Sequence, residues 1–155
     1  KINLIEDGNS ILDTGGGILN LIKKSENENF FVFNPDTIWS KQYIAIIRKM
    51  EIFYFENKIQ NILLVVNKSK SFDKNLKGDF NLEPKNILNY KEKNFIYTGC
   101  QIINKKVFSI INKKSFSIVE IWNKLVNENK LYGFESLNDF VHVTNIEIFK
   151  KLSKN

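Results

Sequence analysis

A chain of 155 residues, 43% hydrophobic and 26% charged, has the balance of one ordinary domain that can bury a core without disulfide or metal staples. The single cysteine, Cys100, excludes an internal disulfide framework and fits a reducing, cytoplasmic setting; no apolar run approaches the roughly 18 residues of a membrane span, and no signal peptide is expected. The net charge of +6 invites a nucleic-acid reading, but the lysines are dispersed in pairs (Lys23-Lys24, Lys105-Lys106, Lys113-Lys114, Lys150-Lys151), and a phosphate footprint needs clustering, so no nucleic-acid or membrane partner is expected.

In chain order, "KINLIE" alternates apolar and polar residues and predicts a strand; with no initiator Met before it, the natural start is expected upstream. "DGNS" (Asp7 to Ser10) has turn chemistry. Three consecutive glycines, Gly15 to Gly17, follow Asp13-Thr14 and read as a turn, with a helix after Gly17. "NFFVF" (Asn29 to Phe33) is a continuous apolar run, predicted as a strand buried on both faces as in a parallel sheet. Ser40 to Phe55 has helical spacing with Ser40 as N-cap, and "NILLVVN" (Asn61 to Asn67) is a second buried strand. The polar stretch from Lys68 to Pro84 predicts a surface excursion with a short hairpin. "NFIYTGCQII" (Asn94 to Ile103) is a third strand, and "SFSIVEIWNKLVNENK" a helix with Ser115 and Ser117 as cap candidates. "KLYGFE" and "DFVHV" predict two short strands, and "NIEIFKKLS" a closing helix. Strands alternating with helices give an α/β class with a mixed, mainly parallel sheet flanked by helices.

In such a sheet, ligands gather at the carboxyl ends of strands. Just past the strands stand Asn34, Pro35 and Asp36, then Thr98 and Gly99, then His142, the only histidine. A carboxylate at a strand tip suits Mg²⁺ held together with substrate phosphates, and side-chain-free backbone opening a helix suits a nucleotide. The pair points to phosphoryl- or nucleotidyl-transfer chemistry, in which a protein mainly positions groups and neutralises charge. Each residue also has a structural alternative. In that alternative the glycines are only a turn that lets a helix pack close, Asp36 a helix cap, Thr98-Gly99 a bulge, His142 a satisfied interior position, and Asp79 turn chemistry.

The ordered segments "LDTGGGI", "FFVFNPDTIW", "KGDFNL", "YTGCQII", "FSIVEIWNKLVNENKLYGFE" and "DFVHVTNIEIF" resemble the sugar-1-phosphate nucleotidyltransferases. The likeness is to the bacterial group of N-acetylmuramate-1-phosphate uridylyltransferase and mannose-1-phosphate guanylyltransferase, and it spans nearly the whole chain. It implies an α/β nucleotide-binding domain that transfers a nucleoside monophosphate from UTP or GTP to a sugar 1-phosphate, with Mg²⁺, releasing pyrophosphate. By the same resemblance Asp36 is the catalytic residue and first metal carboxylate, and His142 stands at the second metal position. Thr14, Gly15, Gly16 and Asn34 would border the nucleotide, and Gly78, Thr98 and Gly99 would line the sugar pocket.

Three departures stand out: Pro35 replaces a usual Gly or Ser and removes an N–H donor, His142 is a weaker Mg²⁺ ligand than Asp, and "VTN" replaces Val-Gly-Thr. The family's opening Gly-rich loop with Arg and Lys has no counterpart here. The chain is therefore expected to be a single nucleotidyltransferase domain over 1–155, incomplete at its N-terminus and inactive or nearly so alone. The alternative is a non-catalytic nucleotide- or sugar-phosphate-binding module that keeps the fold.

Overall fold

The computed structural model describes residues 2–153. Its elements are α1 (Asp13–Ile22), β1 (Asn29–Phe33), α2 (Gln42–Glu56), β2 (Asn61–Asn67), β3 (Asn81–Glu83), β4 (Ile87–Asn89), β5 (Phe95–Asn104), α3 (Val119–Asn127), β6 (Tyr132–Ser136) and α4 (Ile146–Leu152). The six strands form one sheet in the order β1-β5-β2-β6-β4-β3.

Strand β2 is the centre of the molecule because its side chains alternate between two cores. Leu63 and Val65 join Ile18 and Ile22 of α1, and Ile121, Trp122 and Leu125 of α3, on one face. Ile62 and Leu64 join Tyr43, Met50 and Tyr54 of α2 on the other. Ile62 through Val66 are fully buried, and each such chain is stabilised by about 1.5–3 kcal/mol relative to water. Strand β5 alternates likewise, with Ile103 on the first face and Cys100 and Ile102 on the second.

The sheet is mixed and flanked by helices, as expected, but its balance is not mainly parallel. Only β2 and β6 pair in parallel; β5 lies antiparallel between β1 and β2, and β4 runs antiparallel to both β3 and β6. Burial on both faces was the signal for parallel pairing, and here helices on both sides bury antiparallel strands equally well. Strand β1 is half-buried rather than buried on both faces. It sits at the sheet edge, where Phe31 and Phe33 are 40% and 46% exposed and stack on each other at 5.9 Å.

Residues 2–6 of "KINLIE" form no strand, and Lys1 lies outside the described residues. Alternation needs a partner strand to become structure, and Ile2 and Leu4 are 90% and 93% exposed. "DFVHV" makes only single bridges, Ser71 with Phe140 and Thr37 with His142. The glycine run is also not a turn: α1 begins at Asp13 and carries all three glycines inside it. Ser40 does not cap α2 with its side chain, whereas the Ser117 hydroxyl accepts from the Val119 amide at the start of α3 (3.3 Å). The hairpin is β3–β4, turning through Lys85 and Asn86 at positive φ, so only its first strand lies within the Lys68 to Pro84 stretch where a hairpin was expected. Among the described residues no helix is long and apolar enough to cross a membrane.

Cys100 is fully buried beside Ile102, and burial pushes its thiol up to about 12. The thiolate is the reactive form, so native Cys100 should resist a disulfide reagent at neutral pH and react promptly once the chain is unfolded. Rapid labelling of the native protein would show that this core face opens.

Candidate functional site

The site grows from an irregularity in the central sheet. Between β2 and β5 the register slips, so that Leu63 faces Gln101 while Val65 faces Tyr97. The surplus residues of β5 form a bulge containing Thr98 and Gly99, and Gly99 takes φ +89°. A bulge leaves ladder groups unpaired, and here side chains take them up. The Thr98 hydroxyl donates to the Leu64 carbonyl (2.9 Å), and the Thr37 hydroxyl donates to the Thr98 carbonyl (2.7 Å).

This bulge fixes the loop that leaves β1. The Asn34 amide donates to the Gly99 carbonyl (2.8 Å), and a Cβ on Gly99 would stand 2.8 Å from the Asn34 Cβ. Glycine is required there both by φ and by contact. The 140–143 segment then clamps the loop from the other side: Ile38 N–H donates to Val141 and Val143 N–H to Asp36, each at 2.9 Å. Asp36 is thus placed by its own backbone and is not a helix cap, since α2 starts only at Gln42.

The Asp36 carboxylate and His142 meet at this clamp. His142 Nε2 lies 3.7 Å from Asp36 Oδ2, and His142 Nδ1 lies 3.3 Å from the Thr37 hydroxyl. Phe140 stacks on the imidazole at 5.7 Å and restricts its tilt. Asp36 remains half exposed. The structure therefore brings together Asn34, Asp36, Thr98, Gly99 and His142, residues from three separate stretches of sequence.

Among the described residues no three His, Cys, Asp or Glu side chains gather around one point. Asp36 offers a single accessible carboxylate, and His142 a nitrogen already facing that carboxylate. Such a donor set fits a Mg²⁺ carried in with substrate phosphates, which needs only one or two carboxylates, and does not fit a metal caged by protein alone.

Thr14, Gly15 and Gly16 have a different setting. The amides of Gly15 and Gly16 both donate to the Phe116 carbonyl (2.9 and 3.1 Å), and the Thr14 hydroxyl accepts from the Ile118 amide (3.1 Å). A Cβ on Gly15 would overlap the Phe116 ring, and one on Gly16 the Lys114 carbonyl. The glycines let α1 lie against residues 114–118, which lead directly into α3. Gly78 is comparable: a Cβ there would overlap the Lys93 carbonyl, so this glycine lets the chain before β3 approach the chain before β5.

Beside the Asp36–His142 clamp is a cleft of about 200 Å³ lined by Asp79, Phe80, Tyr90, Lys93, Tyr97, Val119 and Trp122. Asp79 Oδ2 accepts from the Tyr97 amide (2.9 Å). Its side chain reaches solvent, yet the atoms packed around it push its carboxyl up from the ordinary value, against the pull of that amide, Lys93 and His142. The Tyr97 hydroxyl is buried without a hydrogen-bond partner, and burial pushes that phenol well above its usual range. Sequence reading treated Asp79 as turn chemistry and did not single out Tyr97, Lys93 or Thr37. Trp122 is legible only as one residue of the helical stretch "SFSIVEIWNKLVNENK".

No family model and no curated protein matches the sequence. Solved structures match the fold. HddC from Yersinia pseudotuberculosis superposes with a TM-score of 0.69 at 20% identity, over 94% of this chain and 63% of HddC. The inositol-1-phosphate CTP transferase from T. maritima gives 0.63 at 17%, over 92% and 62%. A UDP-glucose pyrophosphorylase complexed with UDP-glucose gives 0.67 at 14%, over 94% and 62%. The chain shares the fold of these solved structures and spans a little under two thirds of their length.

Proposed function

We propose that the chain belongs to an enzyme that moves a nucleoside monophosphate from UTP or GTP to a sugar 1-phosphate and releases pyrophosphate. In this reaction a phosphate oxygen of the sugar attacks the α-phosphorus of the nucleotide as the bond to pyrophosphate breaks. The observation that carries the reading is Asp36, a half-exposed carboxylate at the tip of β1, locked by the Gly99 bulge and the 140–143 clamp. The fold shared with the solved structures supports it.

Asp36 would hold the Mg²⁺ together with nucleotide phosphates, and the ion would neutralise charge there. His142 and Thr37 hold the carboxylate's surroundings in one arrangement, which suits a reaction driven by positioning. Thr98 and Gly99 shape the loop beneath, with Asn34 beside the nucleotide. In this reading Thr14, Gly15 and Gly16 act by anchoring 114–118, and so α3, while Gly78 sets the course of the chain that carries Asp79. The 1–155 stretch acts as one nucleotidyltransferase domain in the cytoplasm, in nucleotide-sugar synthesis for cell-wall or glycan assembly.

The sequence holds no glycine-rich loop bearing Arg and Lys for the triphosphate, so the chain assayed alone is expected to turn over slowly or not at all. Calorimetry is therefore the direct test. UTP or GTP should bind more tightly with Mg²⁺ than without, in parallel with radiolabelled transfer to hexose 1-phosphates. Absence of binding by nucleotides and by sugar phosphates, with or without Mg²⁺, would overturn the reading. A second reading, a binding module without turnover, is favoured by the engagement of the Gly15 and Gly16 amides within the chain; it predicts sugar-phosphate binding with no Mg²⁺-dependent gain for nucleotides.

A further inference from the structure

Helix α2 carries more apolar surface than its own core uses. Tyr43, Met50 and Tyr54 face the sheet and are buried. Ile44, Ile52 and Phe55 point away from it and are 56%, 57% and 54% exposed. At about 3.6 residues per turn, Ile44, Arg48, Glu51 and Phe55 fall on one line along the helix. Their spacing of four, three and four residues is the one with which two helices pack side by side. Half-buried Ile47 borders that line on one side and Ile52 on the other.

The two charged residues within the line complement each other. Arg48 is the only arginine in the chain, although lysine is abundant. Its planar guanidinium suits a contact surface better than an ammonium does, because it is more weakly hydrated and binds a carboxylate through two parallel hydrogen bonds. Glu51 is half-buried. Among the described residues neither Arg48 nor Glu51 takes part in an ion pair, with each other or with anything else. Two such charges between exposed apolar side chains lack a partner that a second helix can supply.

A second copy of the same helix supplies it. Two α2 helices laid antiparallel, with the two-fold axis between positions 49 and 50, set Ile44 against the partner's Phe55 and Arg48 against the partner's Glu51. Each of these contacts occurs twice by symmetry, and Ile47 then meets the partner's Ile52 alongside. Sliding the helices to set Ile44 against the partner's Ile52 would place the Arg48 side chains opposite each other, so charge fixes the register. We infer that α2 is a self-association surface through which two copies of this chain form an isologous dimer. The contact is one 15-residue helix, short of the roughly 800 Å² per partner of a standard interface, so association is weak, of micromolar order.

Sedimentation equilibrium of the full chain, from low micromolar to near-millimolar concentration, tests the inference. A reversible monomer–dimer equilibrium is expected. Arg48→Glu and Glu51→Arg should each weaken it roughly tenfold or more, since like charges then face each other twice across the axis. The double variant, carrying both reversals, should regain the native dimer. A mixture of the two single variants should form a mixed dimer that neither forms alone. Melting temperatures should stay near the native value at monomer concentrations, because neither side chain has an ion-pair partner to lose within the chain, and recovery in the double variant cannot arise from misfolding. A chain that stays monomeric throughout would overturn the inference, as would a dimer that withstands both single reversals. So would a monomer that co-sediments with anionic phospholipid vesicles and loses this binding on Arg48→Glu, which would make α2 a membrane-facing helix instead.

Discussion

Gly16→Val is expected to destabilise the chain by several kcal/mol, enough to unfold much of it, whereas Gly17→Ala should stabilise it. Two effects compete at each glycine of α1. Replacing a mid-helix glycine by alanine restores about 1 kcal/mol of helix propensity. Against that stands whatever the new Cβ meets. At Gly16 it meets the Lys114 backbone carbonyl, which has no rotamer to escape into, so α1 and residues 114–118 must separate. Overpacking alone costs about 1–3 kcal/mol. Separation also breaks the Gly15 and Gly16 hydrogen bonds to Phe116 and exposes Phe116 and Ile118, which are buried. At Gly17 the nearest atom is Asp7 Oδ2 at 3.9 Å, an ordinary contact, and the propensity term wins. Urea melts of the two variants separate the effects. A Gly16→Val chain as stable as the native one, with nucleotide binding lost, would return the glycines to a direct ligand role.

The same glycines show how far the sequence could be read. Three in a row suggest a turn on propensity alone, because nothing local says that a distant segment will pass within contact distance. Their helix is a tertiary effect, written in residues 114–118 about a hundred positions away. The apolar runs Asn29–Phe33 and Asn61–Asn67, by contrast, became β1 and β2 with unchanged limits, since a run of buried side chains bounded by polar residues carries its own boundaries. Neighbour order did not follow from those runs. An edge strand and a central strand look alike in composition, and only the pairing with β5 distinguishes β1 from β2.

The candidate site divides along the same line. Asp36, Asn34, Thr98, Gly99 and His142 were legible because each stands just past or within an apolar run, and strand tips converge in an α/β sheet. The cleft beside them was not. Asp79 precedes a three-residue strand, Tyr97 lies mid-strand and Trp122 belongs to a helix face that reads as plain core. What joins them is the Tyr97 amide on Asp79 and the edge-to-face packing of Tyr97 on Trp122, contacts between elements that no local pattern encodes.

Asp36→Asn is expected to abolish the Mg²⁺-dependent part of nucleotide affinity and, wherever turnover is measurable, to lower it by about 10²–10³-fold, as loss of a key charge-stabilising group does. Stability should change by no more than about 1 kcal/mol. The side chain is half exposed, and the nearest side-chain nitrogen, His142 Nε2, stands 3.7 Å away, too far for a strong hydrogen bond. The loop itself is held through backbone, by Asn34 N–H on Gly99 and Val143 N–H on Asp36, and those bonds survive the substitution. His142→Gln supplies the comparison. Imidazole is a poor ligand for an ion that prefers hard oxygen donors, and Nδ1 faces Thr37 while Nε2 faces the carboxylate. Its loss should therefore cost less than that of Asp36. Nucleotide titrations across a Mg²⁺ series read this directly: Asp36→Asn should flatten the Mg²⁺ dependence, and His142→Gln should shift it to higher concentration. A flat response in both variants would make His142 a full partner in holding the ion. A melting temperature that falls steeply in Asp36→Asn, with the Mg²⁺ dependence intact, would reduce Asp36 to a structural partner of His142 and remove the metal from this end of the sheet.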